Sequence, residues 1–467
     1  MQLSDLHRCL QGIIPSVIAT ADGRGMPNIT YVSQVDYLDE RHVALSCQFF
    51  NKTRRNLDEN PLAFAEVVDP ETMQPYRLRL RFLRSEKNGP LFDRMRMRIE
   101  AIASHTGMTG VFRLIAADVF EVLSIVKVEG ALAPMPETPP VRGASLEGLR
   151  SEVRGLHWVS DGINRAVDLE GLLGAALQAL EEYFGFRHTM VLLLDECSGR
   201  LTTLASRGYG ASGVGAEVAL GEGIIGVVAR DRRVLHLSAL ERDLSYGRTI
   251  RREAERDSPD PRTGMEIPLP GLPNAQSVLA IPLAIGSRLV GVLAAEDADP
   301  RHFSEWHEAY LEIIGNQIAL GIDRMIERSN SAEKEGAATP AAPAPVVASM
   351  HEAAPASLPV SRRHRLTYHA CDDAIFVDDE YLIRNVPAKI LWKVLREWQG
   401  TGRTEFSNRE LRLDPWLGLP PVKDNLESRL ILLRQRLREK CPDLGLESTA
   451  RGRFALRVRG ALELVEK

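Results

Sequence analysis

Two segments rich in proline and alanine divide the chain and limit what any one part of it can fold into. The first, residues 131–144, carries four prolines, Pro134, Pro136, Pro139 and Pro140. The second, residues 331–360, contains the low-complexity run EGAATPAAPAPVVASMHEAAPASLPV. Repeated proline and alanine with few large apolar side chains cannot form a packed core, and proline stiffens such a segment into a spacer. The pattern therefore predicts two linkers between three domains, at residues 1–130, 145–330 and 361–467.

The composition is that of a globular multidomain protein. Of the 467 residues, 44% are hydrophobic and 26% are charged, which is enough apolar surface for a core in each domain. No apolar run reaches the roughly 18–20 residues of a membrane span, and the N-terminal MQLSDLHRCL lacks the features of an export signal. The five cysteines are scattered and contain no CxxC pair. We therefore expect a cytoplasmic protein with no membrane partner, no disulfide framework and no metal site.

The first domain has the pattern of a small β-barrel. The run YRLRLRFLRS alternates large apolar and charged side chains, as a half-buried strand does. Other β-rich runs, IIPSVIATADG and MPNITYVSQVDYLDERHVALSCQFF, contain turns, and helix-like stretches follow at KTRRNLDENP and Leu91–Ile102. Strands with one or two short helices predict a closed six-stranded barrel.

The series ATADGRGMPNITYVSQVDYLDERHVALSCQFFNKTRRNLDENPLAFAEVVDP resembles the split-barrel flavin-binding family that includes pyridoxamine-phosphate oxidase. The resemblance covers nearly the whole domain and implies a site for FMN. It implies that Lys52 and Thr53 hold the FMN phosphate, with Arg54 or Arg55 assisting. The other implied site residues line the approach (Ser46, Gln48 and Asn51) or face the flavin ring (Tyr31, Val32 and Ser33).

The physical chemistry agrees with this assignment, because Lys52–Asn56 opens a predicted helix, where cations and backbone donors converge on an anion. An alternative interpretation is a solvated first turn on an empty barrel. A heme-binding variant of the barrel also exists, and the histidine that could serve it here is His105, in the loop ASHTGMTG.

The middle domain resembles a GAF domain over about residues 155–328. The resemblance is carried by GEGIIGVVARDRRVLHL, SVLAIPLAIGSRLVGVLAAED and FSEWHEAYLEIIGNQIALGIDRM. The sequence predicts one amphipathic helix through VSDGINRAVDLEGLLGAALQALEEYFG, central antiparallel strands, and a long closing helix that Ser304 caps. GAF domains bind small ligands such as cyclic nucleotides, tetrapyrroles or flavin, or bind nothing and dimerise through their terminal helices. The resemblance therefore implies a small-molecule ligand or a homodimer, and apolar residues on the helices at 159–184 and 303–328 favour the dimer.

Two further features of the middle domain have less specific interpretations. Gly221, Gly223 and Gly226 spell GxGxxG, but the flanking sequence indicates the start of a GAF helix rather than a dinucleotide site in a parallel βαβ unit. The polar insert between Leu240 and Gln276 corresponds to the lid of the pocket in GAF domains, or is a surface loop.

The last domain is basic, whereas the rest of the chain is acidic. Residues 361–467 hold 21 Lys and Arg against 16 Asp and Glu, a balance of +5, which leaves −10 for the remainder of the chain with its total of −5. Such asymmetry suggests a polyanion as partner. The sequence predicts three helices, the second capped by Ser407 and Glu410, and then a strand hairpin.

The ending SRLILLRQRLREKCPDLGLESTARGRFALRV resembles the recognition helix and wing of the winged helix-turn-helix domains of response regulators. No receiver domain precedes it in this sequence, so receiver phosphorylation does not apply. The resemblance implies binding to double-stranded DNA, although Asp424 and Glu427 near the helix start oppose phosphate. The residues that fit DNA contact are Lys423, Arg429, Arg434, Arg436, Arg451 and Arg453.

Three functions are compatible with this organisation. The first is a one-component transcriptional regulator, in which the barrel and the middle domain sense a ligand or a redox state and the last domain binds DNA. The second is a flavin-dependent oxidoreductase that the appended domains regulate, although no nucleophile, base and acid stand together in the sequence. The third is a signalling scaffold whose last domain binds protein.

Overall fold

The structure is a computed structural model that describes residues 1–48, 52–111, 113–129, 146–166, 168–196, 198–209, 214–241, 243–245, 248, 271–272, 274–335, 363–371, 373–419, 426–450 and 452–467. The segment 131–144 and most of 331–360, the predicted linkers, lie outside these residues. Within the described part of the chain, no helix is both long enough and apolar enough to cross a bilayer.

The first domain, for which we keep the name barrel, is built on one antiparallel sheet of seven strands rather than the six expected. Its closure into a barrel stays a prediction. The order is β2-β1-β5-β6-β7-β4-β3. The extra strand arises because the run that begins at Met26 is broken at Ser33–Gln34, between β2 and β3, where no glycine or proline marks the break. The strands are β1 Ser16–Ala21, β2 Pro27–Val32, β3 Val35–Asp39, β4 His42–Cys47, β5 Leu62–Val68, β6 Pro75–Glu86 and β7 Ala116–Lys127.

Among the described residues, three α-helices accompany this sheet: α1 His7–Leu10, α2 Lys52–Glu59 and α3 Pro90–His105. Helix α3 follows Gly89, whose φ of 95° is a left-handed conformation that glycine tolerates. The helix is buried on more than one side, since Met95, Met97 and Ile102 are all shielded from solvent. A helix with apolar residues on several faces is expected to lie between two structural layers, and α3 lies between the barrel and the middle domain.

The middle domain is a six-stranded antiparallel sheet with helices on both faces, in the order β10-β9-β8-β13-β12-β11. Its strands are β8 His188–Asp195, β9 Arg200–Arg207, β10 Glu217–Ala219, β11 Leu235–Ser238, β12 Ser277–Ile285 and β13 Arg288–Asp297. The helices whose bounds are described are α4 Leu146–Arg165, α5 Leu169–Phe184, α6 Gly223–Asp231 and α7 Glu305–Glu335. Helices α4, α5 and α7 cover one face, and α6 together with α3 of the barrel covers the other.

Two boundaries in this domain differ from the prediction. The single helix expected through residues 159–185 is two helices, because Asp168 caps α5 by accepting a hydrogen bond from the Gly171 N–H at 2.8 Å. Helix α7 continues to Glu335, which is five residues inside the segment assigned to the second linker.

In the part that the structure describes, the last domain contains two small sheets and three helices. The first sheet has the order β16-β15-β14-β20, with β14 and β20 parallel, and the second has the order β17-β19-β18. The predicted capping box at Ser407 and Glu410 is confirmed. The elements are β14 Arg363–His369, β15 Ala374–Val377, β16 Glu380–Arg384, α8 Asn385–Thr401, β17 Glu405–Ser407, α9 Asn408–Leu413, α10 Leu426–Lys440, β18 Leu444–Ala450, β19 Arg453–Val458 and β20 Ala461–Glu466.

The barrel and the middle domain share a packed interface between α3 and α6. The Ser104 hydroxyl accepts from the Gly223 N–H at 2.8 Å and donates to the Gly221 carbonyl at 3.2 Å. Arg98 pairs with Asp243 at 3.0 Å, and both side chains are 13% exposed. Apolar side chains of both domains form one continuous core across this contact. The barrel is thereby fixed to one face of the middle sheet.

Candidate functional site

The residues assigned to flavin binding meet in a cavity of about 80 Å³ beside β2 and β4. Seven of the nine line it: Tyr31, Val32, Ser33, Ser46, Gln48, Thr53 and Arg54. Ser33 and Ser46 are hydrogen-bonded at 3.1 Å, and Gln48 donates to Ser33. Lys52 lies outside the lining and donates to the Pro27 carbonyl at 3.2 Å. Asn51 lies outside the described residues.

The cation of this cavity is already paired with carboxylates. Arg54 contacts Asp118 at 3.0 Å and Asp58 at 3.1 Å, and its guanidinium lies 4.8 Å from the centre of the Phe82 ring. Burial raises the pKa of Asp118, although hydrogen bonds from Ser85 and Arg54 oppose that shift. Asp118 was missed in the sequence, where the signal was a lone carboxylate inside the apolar run from Ile115 to Phe120.

This geometry does not fit FMN in the conformation described. Ligand cavities are roughly 300–1,000 Å³, whereas this one is about 80 Å³. A phosphate would also have to displace Asp118 from Arg54 or lie beside its charge, which is unfavourable. The flavin assignment therefore stays a prediction that requires the cavity to open and Arg54 to exchange partners.

His105, the candidate heme ligand, is buried at the C-terminal end of α3 and is not part of the cavity lining. Among the described residues, no group of three or more His, Cys, Asp and Glu side chains has an arrangement suited to a metal ion. His364 hydrogen-bonds Asp378 at 2.6 Å and Asp443 at 3.1 Å.

The glycines of the GxGxxG run shape the backbone before α6. Gly221 and Gly223 have φ of 85° and 61°, and a Cβ on Gly226 would lie 2.2 Å from the Ala219 carbonyl oxygen. Because β9 and β10 are antiparallel, the run does not belong to a parallel βαβ unit. Most of the polar insert, together with Cys197, lies outside the described residues.

A buried carboxylate stands on the face of the middle sheet that packs against α3 and α6. Glu296 is 1% exposed and accepts hydrogen bonds from the Tyr209 hydroxyl at 3.0 Å and the Leu272 N–H at 2.6 Å. Burial raises its pKa to about 7, although both hydrogen bonds oppose the shift. Glu296 is the next-to-last residue of the apolar strand β13 and was not predicted from the sequence, although buried titratable groups of this kind mark candidate sites.

The arginines assigned to DNA contact lie mainly on α10, and in this structure α10 packs against the middle domain. Arg429 is 7% exposed and pairs with Asp195 at 3.2 Å. Arg436 donates to the Leu382 carbonyl at 3.0 Å, and Arg434 is 8% exposed with Glu427 at 4.0 Å. Arg453 is exposed at the start of β19, whereas Lys423 and Arg451 lie outside the described residues.

Arg429 and Arg436 are seven residues apart, about two helical turns, and both line one cleft. The face of α10 that carries them meets the middle domain here rather than solvent. Two further ion pairs join the same domains, Arg384 to Glu217 at 2.8 Å and Arg438 to Glu170 at 2.8 Å. The sequence could not show these contacts, since each partner lies more than 150 positions away along the chain.

The described thiols are free, and three of them are shielded. Burial raises the pKa of Cys9 to about 12 and the pKa values of Cys47 and Cys441 to about 11. Cys371 is exposed in the turn between β14 and β15.

Comparison with known proteins identifies the middle domain. Residues 168–322 match the GAF domain family. Among solved structures, the GAF domain of the Acinetobacter phosphoenolpyruvate-protein phosphotransferase is 20% identical and covers 40% of this chain and 99% of its own, with a TM-score of 0.31. The corresponding domain from Coxiella burnetii is 21% identical, covers 39% of this chain and 98% of its own, and has a TM-score of 0.32.

An FMN-binding protein from Syntrophomonas wolfei subsp. wolfei is 21% identical over 27% of this chain and 84% of its own, with a TM-score of 0.23. No curated protein matches the sequence. The protein therefore contains a GAF domain, the fold of a ligand-sensing signalling module, within a larger multidomain chain.

Proposed function

We propose that the protein is a one-component transcriptional regulator in which the GAF domain senses a small ligand and the last domain binds double-stranded DNA as a winged helix-turn-helix. The observation that carries this proposal is the architecture of the last domain. Helices α8, α9 and α10 are followed by the β18–β19 hairpin, which is the order of a helix-turn-helix with a wing. The basic excess of this domain supplies the long-range attraction that DNA binding requires.

The contacts of α10 give the regulator a closed state. A recognition helix must place its side chains against base edges, and Arg429 is instead paired with Asp195 of the GAF domain. DNA and the GAF domain therefore compete for one face of α10. A signal sensed by the GAF domain would therefore change DNA binding by releasing this face of α10 from the GAF domain.

The β18–β19 hairpin differs from α10 in exposure. Arg453 of the hairpin remains exposed in the docked arrangement, whereas Arg429 of α10 is buried. A wing of this kind contacts the DNA backbone and contributes affinity with little sequence preference. The closed state is therefore expected to retain weak nonspecific binding through the wing, whereas specific binding requires release of α10.

The experiment measures binding of the full chain to genomic DNA fragments by fluorescence anisotropy over a range of salt concentrations. Arg453→Ala should weaken binding to all fragments alike and lower the slope of log affinity against log salt by about 0.9, the loss of one phosphate contact. Arg77→Ala is the matched control, since Arg77 is an exposed barrel arginine paired with Glu66 at 3.0 Å. It should change neither quantity.

The proposal is contradicted if neither the wild type nor Asp195→Asn, in which the α10 contact is weakened, shows salt-dependent binding to DNA. The scaffold function, in which the last domain binds protein, then takes its place. The oxidoreductase function has less support, because Arg54 is neutralised in the barrel cavity. It is tested by the flavin absorbance of the purified protein and by loss of that absorbance in Lys52→Ala with Thr53→Ala.

A further inference from the structure

A cleft of about 700 Å³ lies between the GAF domain and the last domain. One wall is formed by the ends of β8 and β9 with residues 214–217, and the other by residues 381–387 and one face of α10. The size is within the roughly 300–1,000 Å³ of small-molecule sites, and such sites are common at domain interfaces. The cleft is distinct from the barrel cavity and from the GAF face that α3 covers.

The charges around the cleft favour an anion. Its lining carries five cationic side chains, Arg200, Arg384, Lys389, Arg429 and Arg436, and three carboxylates, Asp195, Glu217 and Asp373. Glu217 is shared, since it pairs with Arg200 at 3.3 Å and with Arg384 at 2.8 Å. Two guanidinium groups that share one carboxylate leave capacity for a second anion.

A buried hydroxyl provides an independent sign of a ligand. Ser428 is 6% exposed and lines the cleft at the start of α10. Its Oγ has no hydrogen-bond partner within the described residues. Buried polar atoms are usually satisfied, so an orphaned hydroxyl beside a cationic cleft fits a site whose ligand supplies the missing acceptor.

The remaining lining defines the rest of the ligand. Apolar side chains come from both domains, including Leu193, Leu204, Val214, Leu382 and Leu432. Gly215 lets the two domains approach closely in this part of the cleft, because a Cβ there would lie 3.3 Å from Leu432. A ligand with an acidic group at one end and an apolar body would satisfy both kinds of surface.

We propose that this cleft binds a small amphipathic organic anion, a carboxylate, sulfonate or phosphate ester with an apolar body. Because the walls come from two domains, the ligand binds only when the domains are docked. By linkage it must then favour the docked state and oppose release of α10. The binding site stands independently of DNA recognition, and only this last consequence rests on the proposed function.

The test titrates the full chain with two fluorescent probes that differ by one acidic group, 8-anilinonaphthalene-1-sulfonate and the uncharged N-phenyl-1-naphthylamine. The sulfonate should bind saturably with one site per chain and about tenfold more tightly than the neutral probe, since it adds charge-assisted hydrogen bonds. Equal affinities for the two probes overturn the proposal.

Two variants separate an anion site from a merely structural contact. Arg384→Met and Glu217→Gln both remove the ion pair between the domains, but they change the charge of the cleft in opposite directions. An anion site predicts weaker sulfonate binding in Arg384→Met and tighter binding in Glu217→Gln, each by about fivefold or more. If both variants lose affinity together, the residues serve docking alone and the proposal fails.

Ser428→Ala should lower sulfonate affinity and leave the neutral probe unaffected, with circular dichroism melts confirming that each variant is folded. Arg77→Met on the barrel is the control and should change nothing. If the sulfonate binds but does not change DNA affinity, the anion site is supported and its proposed effect on the release of α10 is contradicted. If the protein binds DNA but does not bind the sulfonate more tightly than the neutral probe, the anion site is contradicted and the proposed function is not.

Discussion

The GAF domain meets its two neighbours through interfaces of different construction. Toward the barrel, α3 and α6 pack with a continuous apolar core, and Ser104 ties the two backbones together. Toward the last domain, buried apolar side chains of the two domains also join in one core, but the contact borders a cleft of about 700 Å³ that charged side chains such as Arg429 and Asp195 line. Charged contacts around a cleft can be exchanged for solvent or ligand at less cost than close-packed apolar contacts. We therefore expect the last domain to separate from the GAF domain more readily than the barrel does.

The largest expected effect is at the barrel interface. Ile102 is 3% exposed within the shared core, and Ile102→Ala should lower the free energy of unfolding by about 2–5 kcal/mol because it leaves a cavity. The comparison is Leu432→Ala, which removes a side chain that borders the cleft and should cost less. Equal losses in urea titrations of the two variants would erase the distinction between the interfaces.

A second expectation concerns the carboxylate on the same side of the GAF sheet. Burial raises the pKa of Glu296 to about 7 from its usual 4.5. Since the folded protein holds this proton more tightly than the unfolded chain, the resulting stability is present below pH 4.5 and is lost as the pH rises through about 7. Glu296→Gln should therefore be more stable than the wild type at about pH 8, by about 2–3 kcal/mol.

The measurement for Glu296 is the difference in stability between wild type and variant at each pH. Taking the difference cancels the pH dependence of stability that comes from His236. That dependence has the opposite sign, because burial lowers the pKa of His236 to about 4. A difference that does not change with pH contradicts the raised pKa.

Ser104→Ala should have a smaller effect than Ile102→Ala. The change leaves the buried Gly223 N–H without its acceptor, and it should cost about 1–2 kcal/mol. Ser104→Thr retains the hydroxyl and serves as the comparison in thermal melts. If alanine is tolerated as well as threonine, the apolar core alone fixes the barrel.

The smallest effect on stability is expected at the opposite interface. Asp195→Asn weakens the contact with Arg429, but the last domain can undock and hydrate that arginine, so global unfolding should change by less than about 1 kcal/mol. Under the proposed function, DNA affinity should instead rise by about fivefold or more, because the closed state is depopulated. Unchanged DNA affinity would show that this contact does not control α10.

The sequence predicted local features better than contacts between domains. Asp168 illustrates a local signal that was available, since an aspartate before an apolar run is a common helix cap and it divides the expected single helix. The alternating run RMRMRIE in α3 is different. Arg96 and Arg98 accompany buried methionines because their partners Asp231 and Asp243 come from the GAF domain, 135 and 145 positions away. No local pattern contains such partners.

In the candidate sites, too, the sequence predicted local groupings of residues but not their partners from distant parts of the chain. The sequence brought seven of the nine predicted flavin residues to one cavity, because neighbouring strands carry them in short segments. It did not reveal that Asp118 would neutralise Arg54 from the distant strand β7. Likewise, the shared face of Arg429 and Arg436 follows from helical spacing, but its partner surface does not.

The distribution of thiols determines how this protein responds to oxidants and to labelling reagents. Attack requires the thiolate, and burial raises the pKa values of Cys9, Cys47 and Cys441 to about 11–12, so these thiols react slowly at neutral pH. Cys371 is accessible and lies in the last domain. With Cys197, which lies outside the described residues, replaced by serine, a maleimide dye should mark the last domain at one place. Its rotational freedom would then report domain release in real time, without further engineering of the chain.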